Sequence, residues 1–161
     1  MGKNTIQIGY VNINNETIFE IGKFAILWNI FENIKCDNNC TCDKIINMEK
    51  SLEHLGKKSF KQFAIELRTR AVKLNSDVDT YVNSYLYPAN GARISDIYRT
   101  KNIPVVIDFI NSVGETNLIG ALLAIYRIRN NMFHGLKGHS ELDDQIDLFK
   151  AMNAVLGEVI K

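Results

Sequence analysis

The stretch Arg127-Ile128-Arg129-Asn130-Asn131-Met132-Phe133-His134-Gly135 closes a strongly apolar run. Upstream of it, Leu118, Leu122 and Ile125 recur at helical spacing and continue into Met132. At about 100° per residue these positions form one stripe of an α-helix. Arg129 falls in the middle of that stripe, with Ile128 on one flank and Tyr126 and Phe133 on the other. Arginine is seldom buried without a partner, so an anion, either a carboxylate or a bound phosphate, is expected opposite it. By the same wheel Arg127 belongs to the polar side and is expected at the surface, within reach of a nucleic acid.

Working outward, the pattern is helical almost throughout. Residues 1–13 alternate weakly and read as a short strand or an ordered tail. Asn14 and Asn15 are good caps for a helix to about Lys35, with Ile18, Ile21, Ala25, Trp28 and Ile30 or Phe31 repeating at three and four residues. Phe24, Leu27 and Ile34 widen its apolar face. A second helix is expected from about Lys44 through Leu74, with an interruption at Gly56; Ile45, Met48, Leu52, Leu55, Phe60, Phe63 and Leu67 line its inner side. Ser76 or Asp77 restarts a helix that stops at Pro88-Ala89-Asn90-Gly91, a turn signal. A short helix around 94–100 and another over 105–113, with Pro104 in its first turn and Gly114 at its end, come next.

Thr116 or Asn117 is the expected cap of the helix that carries Arg129, and Gly135 its left-handed stop. After the loop Gly138-His139-Ser140, Ser140 with Asp143 resembles a capping box for the last helix. That helix carries Leu142, Ile146, Phe149, Met152, Leu156 and Ile160. The fold class is therefore all-α, an antiparallel helical bundle of four principal helices plus one or two short extra helices, in a single domain over 1–161.

Hydrophobic content of 46% and charged content of 23% fit a globular protein whose core is large enough to support itself. No apolar stretch approaches the ~20 residues of a membrane span. The N-terminus carries Asn, Gln and Tyr where the apolar region of a signal peptide would lie, so a cytoplasmic location and reduced cysteines are expected. A net charge of +1 does not advertise a nucleic-acid binder. The charge is uneven, however. Lys57, Lys58, Lys61, Arg68, Arg70 and Lys73 face only Glu66 in the same stretch, a run able to follow a phosphate backbone or to be an ordinary solvated face. The acids Glu141, Asp143, Asp144 and Asp147 gather at the start of the last helix, where the helix dipole favours them.

Arg129-Asn130-x-x-x-His134, within Arg-Asn-Asn-Met-Phe-His-Gly, resembles the Arg-x(4–6)-His motif of HEPN-domain proteins. The resemblance is clearest over 116–161 and extends to the helix at 16–35. It implies a HEPN-like bundle that dimerises and acts as a metal-independent endoribonuclease. A toxin–antitoxin or anti-phage setting is implied too, with a neutralising partner such as a nucleotidyltransferase-like protein. No metal or cofactor is expected. RNA supplies its own nucleophile, the 2′-hydroxyl, so the protein need only move protons and stabilise charge on phosphate. A histidine suits the first task, because its ordinary pKa near ~6.5 populates both forms around neutrality. An arginine suits the second, since its fork matches two phosphate oxygens. The resemblance assigns these roles to His134 and Arg129, and gives 2′,3′-cyclic phosphate and 5′-hydroxyl ends. Asn130 would orient the imidazole or bond the phosphate; Arg127, Lys57, Lys58 and Lys61 are candidate RNA contacts.

On one continuous helix Arg129 and His134 diverge by roughly 140°. They meet at one phosphate only if the helix unwinds or two protomers each contribute, and the second arrangement is the one expected. Two other readings stand beside this one: a non-catalytic module that dimerises or holds a partner, and a nucleotide-binding module. Cys36, Cys40 and Cys42 crowd one loop, with His54 or Asp43 near enough in sequence to complete a zinc site. The paired Cys-x2-Cys knuckle is missing, and three ordinary reduced thiols are the expectation.

Overall fold

The computed structural model describes residues 4–88, 96–133 and 142–161. Among them the chain is mostly helical, with one antiparallel hairpin, β1 (Thr5–Ile8) and β2 (Val11–Asn14), paired from Thr5 with Asn14 to Ile8 with Val11. Gly9 makes the turn at φ +62°. The weak alternation in this stretch is thus a strand pair, the one departure from helix and loop among the described residues.

Helix α1 (Asn15–Cys36) begins where its cap predicts: the Asn14 side chain accepts from the Glu16 N–H at 2.9 Å. Its inner stripe is Thr17, Glu20, Phe24, Trp28 and Phe31. This is rotated from the expected face, because apolar residues occur all round α1 and leave its outward side apolar too. Phe19, Ile26 and Ile34 are 65%, 64% and 57% exposed. Against the inner stripe lies the last helix, α8 (Ile146–Val159), through Phe149, Met152 and Leu156. Asn153 on α8 donates to both the carbonyl and the carboxylate of the buried Glu20, at 3.0 and 2.8 Å. Asp143 bonds across to the start of α1, while its expected pairing with Ser140 lies outside the described residues. Its Oδ1 accepts from the Asn14 N–H and the Thr17 hydroxyl at 3.0 and 2.6 Å, fastening the approach to α8 onto the start of α1.

The expected helix over 44–74 is broken into α2 (Cys42–Ile46), α3 (Glu49–Leu52) and α4 (Lys58–Lys73). Of its expected inner residues Ile45, Met48, Leu52, Phe60, Phe63 and Leu67 are buried, while Leu55 is half-buried. The break falls across Gly56, whose N–H donates to Glu158 at 3.3 Å. Next, α5 (Val78–Tyr81), capped by Asp77 accepting from the Thr80 N–H at 2.7 Å, passes into a π-helical turn at Val82–Leu86.

Helix α6 (Asp96–Asn111) joins what the sequence divides in two, and it runs through Pro104. Proline removes an N–H and crowds the preceding turn. Burial of Asn102, Val106, Phe109 and Ile110 on the other side of α6 overrides that local preference. Five helices therefore reach fourteen residues or more among the described residues (α1, α4, α6, α7 and α8) rather than four. The corner after α6 is a left-handed stop. Val113 has φ +53°, and the Gly114 N–H reaches back to the Phe109 carbonyl at 3.0 Å. A Cβ on Gly114 would stand 2.8 Å from the backbone of Phe60 and Lys61, so only glycine fits there.

Helix α7 (Ile119–Phe133) is the centre of the molecule. It packs on α2, α4, α6 and the π turn, and Leu118 through Ile125 are buried without interruption. Gly120 lets it approach α6 closely: a Cβ there would meet Phe109 Cβ at 2.6 Å. Thr116 and Asn117 are not its caps. Both side chains donate to Asp108 at 2.8 and 2.6 Å and so close the α6–α7 corner. The sequence expectations for the turn at 89–91, the stop at Gly135 and the loop 138–140 lie outside the described residues.

Pro104 is exposed, so its removal loses no core contact. Pro104→Ala is expected to stabilise the protein by about 1–2 kcal/mol, the helix interior gaining a hydrogen bond while the unfolded chain regains some freedom. Urea denaturation checks this; a lower midpoint for the variant contradicts a continuous α6.

Candidate functional site

The two arginines of the α7 terminus lie about 200° apart around the helix, so only one of them points into the protein. It is Arg127, not Arg129. Arg127 is 4% exposed. Its Nε donates to the Leu86 carbonyl at 2.6 Å, and its guanidinium lies 5.4 Å from the centre of the Tyr87 ring. Asn131 Nδ2 donates to the same carbonyl at 3.2 Å. Leu86 ends the π turn, whose last carbonyls have no partner within the helix and form the negative end of its dipole. Arg127 and Asn131 are thus side-chain caps for that turn. The expectation of a surface Arg127 near RNA is corrected. The helical wheel failed because α7 is enclosed on nearly all sides and has no polar face over most of its length.

Arg129 is half-buried at the outer end of α7. Its guanidinium stands over the Trp28 ring at 5.2 Å, and its Nη1 donates to Asn130 Oδ1 at 3.2 Å. An aromatic face thus meets this cation on one side. Asn130 also bonds the Tyr126 hydroxyl, which pulls that phenol down, though less than its burial pushes it up. Trp28 and Tyr126 are neighbours, with ring centres 6.0 Å apart. Arg129, Asn130, Tyr126 and Trp28 therefore form one patch where α7 meets the middle of α1, and the structure brings Arg129 and Asn130 together there. Sequence reasoning did not single out Trp28 or Tyr126; their helical spacing marked them only as core. His134 and His139 lie outside the described residues. His54 is exposed.

The basic run does not join this patch within one chain. Lys57, Lys58 and Lys61 are exposed at the start of α4. Lys57 reaches Glu115 at 3.5 Å, just before α7 begins. Arg129 lies ten residues along α7 from Ile119, about 15 Å further on. Arg70, in the next two turns of α4, pairs with Glu66 at 3.2 Å and donates to the Asp144 carbonyl at 3.0 Å. The Lys57–Glu115 pair is exposed and worth little to stability.

Behind the patch sits a polar core. Asn102 of α6 is 2% exposed and donates to Cys42 Sγ at 3.3 Å. Cys36 and Cys40 are buried, and none of the three cysteines is in a disulfide. Burial pushes every one of these thiols above its ordinary value. No group of three or more His, Cys, Asp or Glu side chains fit to hold a metal ion occurs among the described residues. Compared with family models, curated proteins and solved structures, the chain matches none.

The raised thiols give a prediction with a definite sign. A neutral acid whose folded pKa is raised holds its proton longer in the folded state, so its contribution to stability is intact below the ordinary thiol value of 9.0 and is lost as pH climbs above it. At pH 8 the native protein should alkylate with iodoacetamide far more slowly than urea-unfolded protein, and its unfolding midpoint should fall between pH 9 and 10.5. Rapid native labelling of all three thiols, followed by mass spectrometry, would contradict this.

Proposed function

We propose that this chain is a HEPN-type endoribonuclease that cleaves RNA without a metal. In this reading Arg129 binds the scissile phosphate, His134 exchanges protons with the 2′-hydroxyl or the leaving oxygen, and Asn130 orients one of them. The observation that supports it best is the placement of Arg129. It is half-buried at the end of the central helix, held over Trp28 and bonded to Asn130, so a long flexible side chain is confined before a ligand arrives. The products are 2′,3′-cyclic phosphate and 5′-hydroxyl ends. The chain acts as a homodimer, each protomer lending a motif helix to a shared cleft. Its setting is toxin–antitoxin or phage defence, with a neutralising protein that restrains it. No helix among the described residues is long and apolar enough to cross a membrane.

One observation favours a second reading, a non-catalytic module that holds a partner. The outward side of α1 presents Phe19, Ile26, Ile30 and Ile34, an apolar stripe able to dock another helix.

Incubation of the purified protein with total RNA in chelator, with analysis of fragment ends, separates the two. Arg129→Ala and His134→Ala are each expected to lower cleavage by about 10²-fold or more, with the circular dichroism spectrum unchanged. Cleavage by both variants at the parental rate, or its absence from the parent, sinks the nuclease reading.

A further inference from the structure

A second concentration of positive charge lies on the other side of α7 from Arg129. Arg99 of α6 donates through Nη2 to the Tyr87 carbonyl at 2.8 Å, and Arg127 sits against the ring of the same tyrosine. The two cations are close enough that Arg99 opposes the charge on Arg127. Among the described residues neither has a carboxylate within ion-pairing distance, the ion pairs present being made by other side chains. Arg127 Nη2 is buried with no hydrogen-bond partner, as is Asn102 Oδ1. Desolvating one guanidinium costs several kcal/mol even after relaxation, and a second cation beside it adds to that cost. Such a pair is stabilised by an anion.

The surface supplies a place for one. Between the π turn and α6 is an open recess lined by Asn83, Arg99, Thr100, Ile103 and Pro104. Arg99 brings a planar fork of donors, and the Asn83 amide beside it already donates to the Asp79 carbonyl at 2.9 Å. Ile103 and Pro104 provide an apolar shelf beside them. The fork of Arg99, with the charge of Arg127 behind it, suits two oxygens of a phosphoryl group, and the shelf suits an organic group attached to it.

We propose that the recess between the π turn and α6 binds a phosphomonoester, with Arg99 as its direct ligand and the buried Arg127 behind Tyr87 as the fixed positive charge that draws it in. The site does not depend on whether RNA is cleaved at Arg129.

Isothermal titration at constant ionic strength tests this with inorganic phosphate, adenosine monophosphate and adenosine as separate probes. The parent should bind adenosine monophosphate saturably, one per chain. Phosphate alone should compete, and adenosine should not bind. Arg99→Gln should weaken binding at least tenfold and Arg68→Gln, on the exposed face of α4, less than threefold, each variant first checked for a parental circular dichroism spectrum. If Arg99→Gln fails that check, Arg99→Lys takes its place with the same tenfold criterion, since it keeps the charge but loses the fork. Absence of saturable binding to the parent overturns the proposal, as does any smaller loss at position 99 or a larger one at position 68. Phosphate binding as tightly as the nucleotide would identify the free anion as ligand, whereas tighter nucleotide binding would bring in the shelf.

Discussion

A guanidinium with no carboxylate must be held by the dipoles and rings around it, and Arg127 is held by the Leu86 carbonyl and the face of Tyr87. That arrangement requires a carbonyl left over at the right place, which the π turn at Val82–Leu86 supplies. An α-helical ending there would place its terminal carbonyls differently; π turns inserted in helices are often found where function or packing needs such a shift. Once Arg127 is fixed inward, the rotation of α7 is fixed too. Arg129 then emerges against Trp28, and Asn130 lands between Arg129 and Tyr126. The site's geometry thus follows from a contact made two residues earlier.

The same logic of contacts between distant segments runs through the rest of the bundle. Gly120 and Gly114 set how closely α7 approaches α6 and how the α6–α7 corner lies on α4. Asp108 gathers Thr116 and Asn117 to close that corner. At the opposite end Asp143 ties the entry of α8 to Asn14 and Thr17. These polar clamps hold α1 and α8 in register while their apolar stripes supply most of the buried area. Because α1 has apolar residues on both sides, it packs on α8 with one and leaves the other in solvent.

How much of this was legible in the sequence depended on how many sides of a helix are buried. Helix α8, apolar on one side, showed its inner residues Phe149, Met152 and Leu156 plainly. The caps at Asn14 and Asp77 were equally clear, since one side chain and one N–H decide them. Helix α7 was found easily but its rotation was not: a wheel puts Arg129 inside and Arg127 outside, and the enclosed helix reverses them. Pro104 misled for a related reason, because local stiffness argued for a boundary that packing of Val106, Phe109 and Ile110 overrides. The partners of Arg127 could not be read at all. They sit on a carbonyl and a ring some forty residues away, and no spacing rule connects them.

The most direct measurement is exchange of the arginine Nε–H protons, followed by nitrogen-15 NMR at neutral pH. If Arg127 is the inward arginine, its Nε–H, bonded to the Leu86 carbonyl, gives a sharp signal that exchanges with water orders of magnitude more slowly than that of Arg68, which lies on an exposed helix face. A residue 127 signal that exchanges as fast as residue 68 would mean that α7 is rotated otherwise, and the placement of Arg129 over Trp28 would fall with it.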